Sequence, residues 1–328
     1  MISTACRYEK RHRAYAYITH GNWVANYDDK IDALLESLEE VEVLMFGEIF
    51  CCPKCKAALS HASDQIHCPS CELAFPVRDG VPDFFLPGVE KPDDRNLSYH
   101  DSAMAEAKDL YYRKRARQLK GMAFCMDEIG RRTFSNCRIL EVGLGTGRFT
   151  CWLAEAADPG SEIYAFDFSW PMLERARTNT DDFPNVALFR ANARGPLPFA
   201  PETFDIVLVR LAPLNPEGMP RGAFDLLKPG GLYFSATTAS AEIIEVPPTK
   251  WAAEQGYENA EYHIWRYPRV TEEGEYLASI IEGPRLPYLV PDLEKAREVI
   301  QSLKEYHGCD EGIPGIQVEG LLIAQKPA

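Results

Sequence analysis

Seven residues, Glu141-Val142-Gly143-Leu144-Gly145-Thr146-Gly147, constrain this chain more than any other stretch. Glycine at three alternate positions lets a backbone bend sharply and approach a ligand with no Cβ in the way. The run before it, Arg138–Val142, is apolar and β-branched and reads as a strand. The run after it, Arg148–Ala157, has helical spacing. A glycine motif between a strand and a helix start is the context that gives it meaning, because the helix start offers unpaired N–H groups.

The same alternation continues downstream. Glu162–Phe166, Val186–Arg190, Phe204–Val209 and Gly231–Ser235 read as strands, and Pro171–Thr178 and Arg221–Leu227 as helices. Strands alternating with helices predict βαβ units, so the expected class is α/β, a Rossmann-like parallel sheet with helices on both faces. A helical segment over Ser102–Ile129 precedes it, and Leu321–Gln325 adds one more apolar strand. We therefore expect one domain over 96–328. Residues 239–291, rich in Glu, Tyr, Trp and Pro, do not follow the alternation and read as a cap or insertion. Residues 1–48 form an N-terminal extension in which Ile31, Leu34, Leu35, Leu38 and Val41 predict an amphipathic helix. The run Lys91–Asn96 reads as a linker.

Two ligand classes use such a turn. Dinucleotide sites space their glycines G-x-G-x-x-G, whereas the spacing here is G-x-G-x-G. The pattern instead resembles the first motif of the class I S-adenosylmethionine-dependent methyltransferases. Four further features fall in that family's order: Asp167 at the end of the second strand, Asn192-Ala193 after the third, Asp205 opening the fourth, and Lys228-Pro229-Gly230-Gly231 before the fifth. The resemblance implies a cofactor site for S-adenosylmethionine. Glu141 would fix the loop, Gly143, Gly145 and Gly147 would pack under the cofactor, and Asp167 would accept the ribose hydroxyls. Phe168 would stack near the adenine with Met172 as a wall, Asn192 and Ala193 would meet the adenine edge, and Arg210 would border the pocket. Asn192 departs from the family's usual Asp, which weakens the polarity of that contact.

A second signal lies upstream. Cys52-Pro53-Lys54-Cys55 and Cys68-Pro69-Ser70-Cys71 are two C-x-x-C knuckles twelve residues apart. Two knuckles can surround one zinc ion tetrahedrally, and four cysteines close its coordination, so the expected site is structural. Cys51, His61 and His67 are nearby alternatives. Residues 49–88 are thus read as a zinc ribbon. The wording from Cys68 to Pro82 resembles the small zinc-ribbon activators of tRNA, rRNA and release-factor methyltransferases. A ribbon ahead of a methyltransferase domain also resembles the bacterial rRNA guanine-N1 methyltransferases, as does Val209–Pro213. Those likenesses imply RNA as acceptor, or a protein partner engaged through the ribbon.

Charge argues the other way. The chain carries 49 acidic against 35 basic side chains, a net −14, and phosphate binding runs on Lys and Arg. One basic run, Lys108 to Arg132, is a local exception. The region Ala239–Glu282 holds nine glutamates. The core also resembles small-molecule and quinone-biosynthesis methyltransferases, and the Asn/Asp-Pro-Pro-Tyr signature for exocyclic amines is absent at Leu211–Asn215. The first expectation is therefore a methyltransferase acting on a small molecule or protein-bound group. The alternatives are an RNA base methyltransferase and a non-catalytic cofactor-binding partner. His100, His263, Tyr111 and Tyr112 are conceivable pocket residues, and none is assigned as a base. With no apolar run of about 18 residues and no signal-peptide pattern behind Arg7–Arg13, a cytosolic, membrane-free protein is expected.

Overall fold

The computed structural model describes residues 49–61, 65–86, 102–210, 219–237, 248–271, 298, 301–302, 304–306 and 313–328. The amphipathic helix expected at Ile31–Leu44, the linker, His100 and Leu211–Asn215 lie outside them, as do 239–247 and 272–291 of the expected cap.

Two sheets are present among the described residues. The smaller joins β1 (Ser60–His61), β2 (Gln65–His67), β3 (Ala74–Arg78) and β4 (Val81–Pro82) in sequence order. The larger contains β5 (Arg138–Val142), β6 (Glu162–Asp167), β7 (Val186–Arg190), β8 (Phe204–Arg210), β9 (Leu227–Thr237), β10 (Glu258–Thr271) and β11 (Ile313–Gln325). Its order is β10-β11-β9-β8-β5-β6-β7. Strands β5 to β9 run parallel, and β11 returns antiparallel between β9 and β10. This is the Rossmann-like sheet the alternation predicts. The reversal of order beside β5 opens a crevice at the strands' carboxyl ends, where ligands of open α/β sheets bind.

Alternate side chains feed opposite faces. Ile139, Ile163, Ile206, Leu208, Phe234 and Ile323 pack under α2 (Lys120–Arg132) and α3 (Arg148–Ala156). Leu140, Val142, Tyr164, Phe166, Val207 and Tyr233 face the other way. The period of two, with both sets apolar, is what burial on both faces demands. α4 (Trp170–Thr180) follows β6, and α5 (Met219–Leu226) and α6 (Pro248–Glu254) complete the cover.

The crossover from β7 to β8, residues 191–203, contains no helix. The small sheet's unit covers the face left open there. Phe50 packs on Phe84, Phe189 and Phe199 with ring centroids 4.9, 5.3 and 5.4 Å away. Phe50, Ile66, Phe75 and Phe84 join Phe166 and Phe189 in one core cluster. The Cys51 amide donates to Pro198 O at 2.9 Å, and Asp83 bridges in parallel to Arg190. The N-terminal unit and the large domain therefore share a hydrophobic core.

Three boundaries differ from expectation. The segment Ser102–Ile129 is two helices, α1 (Ser102–Arg115) and α2, separated by a 3-10 turn at Ala116–Gln118 and an extended Leu119. Leu119 has no capping side chain, and the cap comes from β11 instead. The Glu319 carboxylate accepts from the Lys120, Gly121 and Met122 amides at 3.1, 2.8 and 3.2 Å. A side chain on Gly121 would meet Trp265 Cε3 at 2.8 Å. The fifth parallel strand is also longer than its sequence suggests, starting at Leu227. Finally, 258–271, expected to stand outside the alternation, is the sheet's edge strand. Its residues alternate between half-buried and exposed from His263 onward, an edge pattern that its polar composition hides.

Candidate functional site

The glycine turn leaves β5 and enters α3. Gly143, Gly145 and Gly147 all have left-handed φ, at 77°, 59° and 77°. Two of them need it for different reasons. A Cβ on Gly147 would press on Ala176 Cα and Cβ at 3.1 Å, so this glycine brings turn and α4 together. A Cβ on Gly145 would meet nothing within 4 Å. It would project into open space over the turn, the volume a ligand would need.

Asp167 closes the turn from the next strand. It is 8% exposed, with Oδ2 accepting the Gly145 amide and Oδ1 the Ser169 amide, both at 3.0 Å. Each carboxylate oxygen keeps a second lone pair. Ser169 caps α4 by accepting from the Met172 amide at 3.4 Å. Met172 is buried and Phe168 half-buried. Asn192 shapes its own loop, with Oδ1 accepting the Arg194 amide at 3.0 Å and its carbonyl the Gly195 amide. Ala193 borders an apolar cavity of about 260 Å³ walled by Val142, Phe166, Phe199 and Val209.

Glu141 and Arg210 lie beneath the turn. Glu141 is fully buried and Arg210 is 5% exposed, with Nε 3.5 Å from Oε1. The guanidinium also donates to Leu144 O at 3.1 Å and lies 4.0 Å over the Phe149 ring. Burial pushes the Glu141 carboxyl above its usual range, against the pull of Arg210 and the nearby Thr150 hydroxyl. Oε2 of Glu141 makes no hydrogen bond within ordinary geometry among the described residues. All ten residues expected at the cofactor site thus stand around the carboxyl ends of β5 to β8.

Sequence reasoning missed Asp109. This residue of α1 is 3% exposed and accepts from Arg148 Nε and Asn179 Nδ2, each at 2.7 Å. Asn179 also donates to Thr146 O at 2.7 Å. Burial opposes the charge, but Arg148 and Asn179 hold the Asp109 carboxyl below its usual range. The only hint was an acid inside a basic run. Four cations of that run are ion-paired: Arg113 with Asp109, Arg117 with Glu155, and Arg131 and Arg132 with Glu128.

The four expected cysteines converge. Their sulfurs all lie within 4.8 Å of one another, with Cys52–Cys71 and Cys55–Cys68 at 3.5 Å and Cys55–Cys71 at 3.7 Å. Tetrahedral zinc–sulfur bonds of about 2.3 Å require sulfurs about 3.8 Å apart. The two knuckles repeat one backbone design. Cys52 O accepts the Lys56 amide and Cys68 O the Glu72 amide, and Lys56 and Glu72 have φ of 60° and 55°. Burial raises the Cys68 thiol, but the amides of Cys71 and Ser70 outweigh it and bring it to about 7. Cys51, His61 and His67 stand outside the cluster. The donor set fits structural zinc.

Two stretches of the chain are similar to known protein families. Residues 139–231 match the family profile described as "Methyltransferase domain", and residues 45–80 match "Trm112p-like protein". These matches span 93 and 36 of the chain's 328 residues. A demethylmenaquinone methyltransferase of Lysinibacillus sphaericus is 32% identical over 109 residues, and one of Bacillus licheniformis is 35% identical over 107. Each match covers 32% of this chain and 46% of the relative, so the chain spans under half the length of these relatives. Among solved structures, a phosphoethanolamine N-methyltransferase 2 of Haemonchus contortus with S-adenosyl-L-methionine is 16% identical. It covers 75% of this chain and 62% of its own, with a TM-score of 0.46. No helix among the described residues is long and apolar enough to cross a membrane.

Proposed function

We propose that this chain is an S-adenosylmethionine-dependent methyltransferase acting on a small-molecule acceptor, with a structural zinc ribbon built into its fold. The observation that carries the reading is the junction of Gly145 and Asp167. A left-handed glycine with open space above it is tied to a carboxylate whose remaining lone pairs suit ribose hydroxyls. Gly143, Gly145 and Gly147 would lie under the cofactor, with Glu141 and Arg210 bracing the turn. Phe168 and Met172 would line the adenine side, and Asn192 and Ala193 its edge.

The cofactor supplies a methyl group on a sulfonium, open to in-line attack by an acceptor lone pair. The protein's task is alignment and exclusion of water, which can supply much of a barrier reduction. No side chain is assigned as a base, and a base is needed only where the acceptor carries a proton at the transition state.

Two observations favour a small acceptor over RNA. Arg117, Arg131 and Arg132 in the basic run are paired with acids. These two relatives carry the name demethylmenaquinone methyltransferase, which makes demethylmenaquinone the first acceptor to try. The ribbon is read as an internal structural element whose core is continuous with the large domain. A tritiated-methyl transfer assay on cell extract, split into RNA, protein and small-molecule fractions, tests the acceptor class. Label in the small-molecule fraction supports the proposal. Label confined to RNA overturns it and favours the base-methyltransferase reading.

A further inference from the structure

The seam between the ribbon and the large sheet meets the cofactor loop at one side chain, Arg190. It ends β7, the edge strand opposite β10. Its Nε donates to Phe168 O at 2.7 Å and its Nη1 to Asp83 Oδ2 at 2.8 Å. Its own carbonyl accepts the Phe84 amide at 2.9 Å. The guanidinium lies over two rings, 4.6 Å from the Phe85 centroid and 5.4 Å from that of Trp170. Arg78 of β3 lies over the same Trp170 ring at 4.9 Å and pairs with Glu174 of α4 at 2.6 Å. The Arg190 and Asp83 side chains are only 18% and 13% exposed.

Phe168 sits between Asp167, the ribose-facing carboxylate, and Ser169, whose amide holds that carboxylate's Oδ1. The peptide whose carbonyl Arg190 grips therefore carries the Ser169 N–H at its other end. Fixing that carbonyl fixes the amide plane and so the aim of Asp167. A planar fork with several donors can hold a carbonyl and a carboxylate together, which a lysine ammonium does less rigidly.

We infer that Arg190 is a positioning residue for the ribose-facing loop Asp167–Trp170, and that Asp83, from the ribbon, is the group that orients it. The inference rests on the proposed cofactor reading for its ligand but not for its mechanics. Without Asp83 the guanidinium swings to solvent, the Phe168 carbonyl loses its donor, and Asp167 loses its aim. The ribbon thus contributes to ribose recognition without touching the ligand.

The test uses the full zinc-loaded chain as wild type, Arg190→Lys, Arg190→Gln and Asp83→Asn, each checked for one zinc per chain. Hydrogen exchange at the Ser169 amide is followed without ligand. Affinities for S-adenosylhomocysteine and its 2′-deoxy analogue are then measured by calorimetry. Wild type is expected to favour the ribose form about tenfold, the worth of one hydrogen bond to a carboxylate. Arg190→Gln and Asp83→Asn should erase most of that preference and speed Ser169 exchange, and Arg190→Lys should restore part of both. An equal fall in affinity for the two ligands, or unchanged exchange, overturns the inference. If wild type binds neither ligand, the cofactor reading fails and the ribose assignment with it. Exchange then still decides whether Asp83 acts on the loop through Arg190.

Discussion

The Gly145 amide donates to Asp167 Oδ2 across 3.0 Å, joining the turn after β5 to the end of β6. Neither residue needs the other for the sheet to form, since β5 and β6 pair through their own backbones. The contact sits where the crevice opens, so its removal should affect ligand binding more than folding. Asp167→Ala is expected to weaken S-adenosylhomocysteine by about tenfold or more, with a small change in melting temperature. Calorimetry beside thermal denaturation separates the two. Gly145→Val should do the same by filling the space above the turn and straining φ.

The Glu141–Arg210 pair makes a stability prediction with a sign. Removing one partner of a buried pair costs about 3–5 kcal/mol, because the other charge is left uncompensated. Arg210→Met should therefore destabilise strongly at pH 8. Burial already raises the folded Glu141 carboxyl, and losing Arg210 raises it further. A raised carboxyl favours the folded state at low pH and loses that contribution as pH climbs through the folded value. The deficit of the variant should shrink from pH 8 towards pH 5. Urea unfolding across that window reads it, and a constant deficit would sink the account.

Glu319 caps α2 from β11, almost two hundred positions away in sequence. Replacing it with Ala leaves the Lys120, Gly121 and Met122 amides without that acceptor, two of them around a buried carboxylate. A lost cap and a missing buried acceptor cost about 1–3 kcal/mol. Denaturant midpoints should fall accordingly, with the cofactor affinity changed less than in Asp167→Ala.

Zinc removal should reach beyond the ribbon. The free energy of structural zinc, about 10–16 kcal/mol in small domains, rivals the total stability of a typical domain. Chelation should unfold residues 49–86, uncovering Phe189 and Phe199, which pack on Phe50. We expect the large domain's melting temperature to drop with the metal, and Cys52→Ser to reproduce this. A domain that melts unchanged after complete zinc loss would contradict the shared core.

Much of this was legible in the sequence because the signals are local. Gly143, Gly145 and Gly147 announce a turn within a few residues, and the paired knuckles announce a metal site by spacing alone. The parallel strands show as short apolar runs because both faces are buried. The missed features are all long-range. Asp83 meets Arg190, Asp109 meets Arg148, and Glu319 meets Gly121, each through pairs that no periodicity marks. The break at Leu119 was hidden because its cap lies on another element. Strand β10 was hidden because an edge strand keeps polar residues on its open face. The residues that join elements carry their meaning only once the fold has brought them together.

The crevice above Gly145 is proposed to hold S-adenosylmethionine. Titration of the zinc-loaded full chain with S-adenosylhomocysteine, beside NADH as a dinucleotide control, tests it most directly. One site per chain is expected for S-adenosylhomocysteine, weakened by Asp167→Ala and closed by Gly145→Val, with no binding of NADH. Binding of NADH with none of S-adenosylhomocysteine would contradict it.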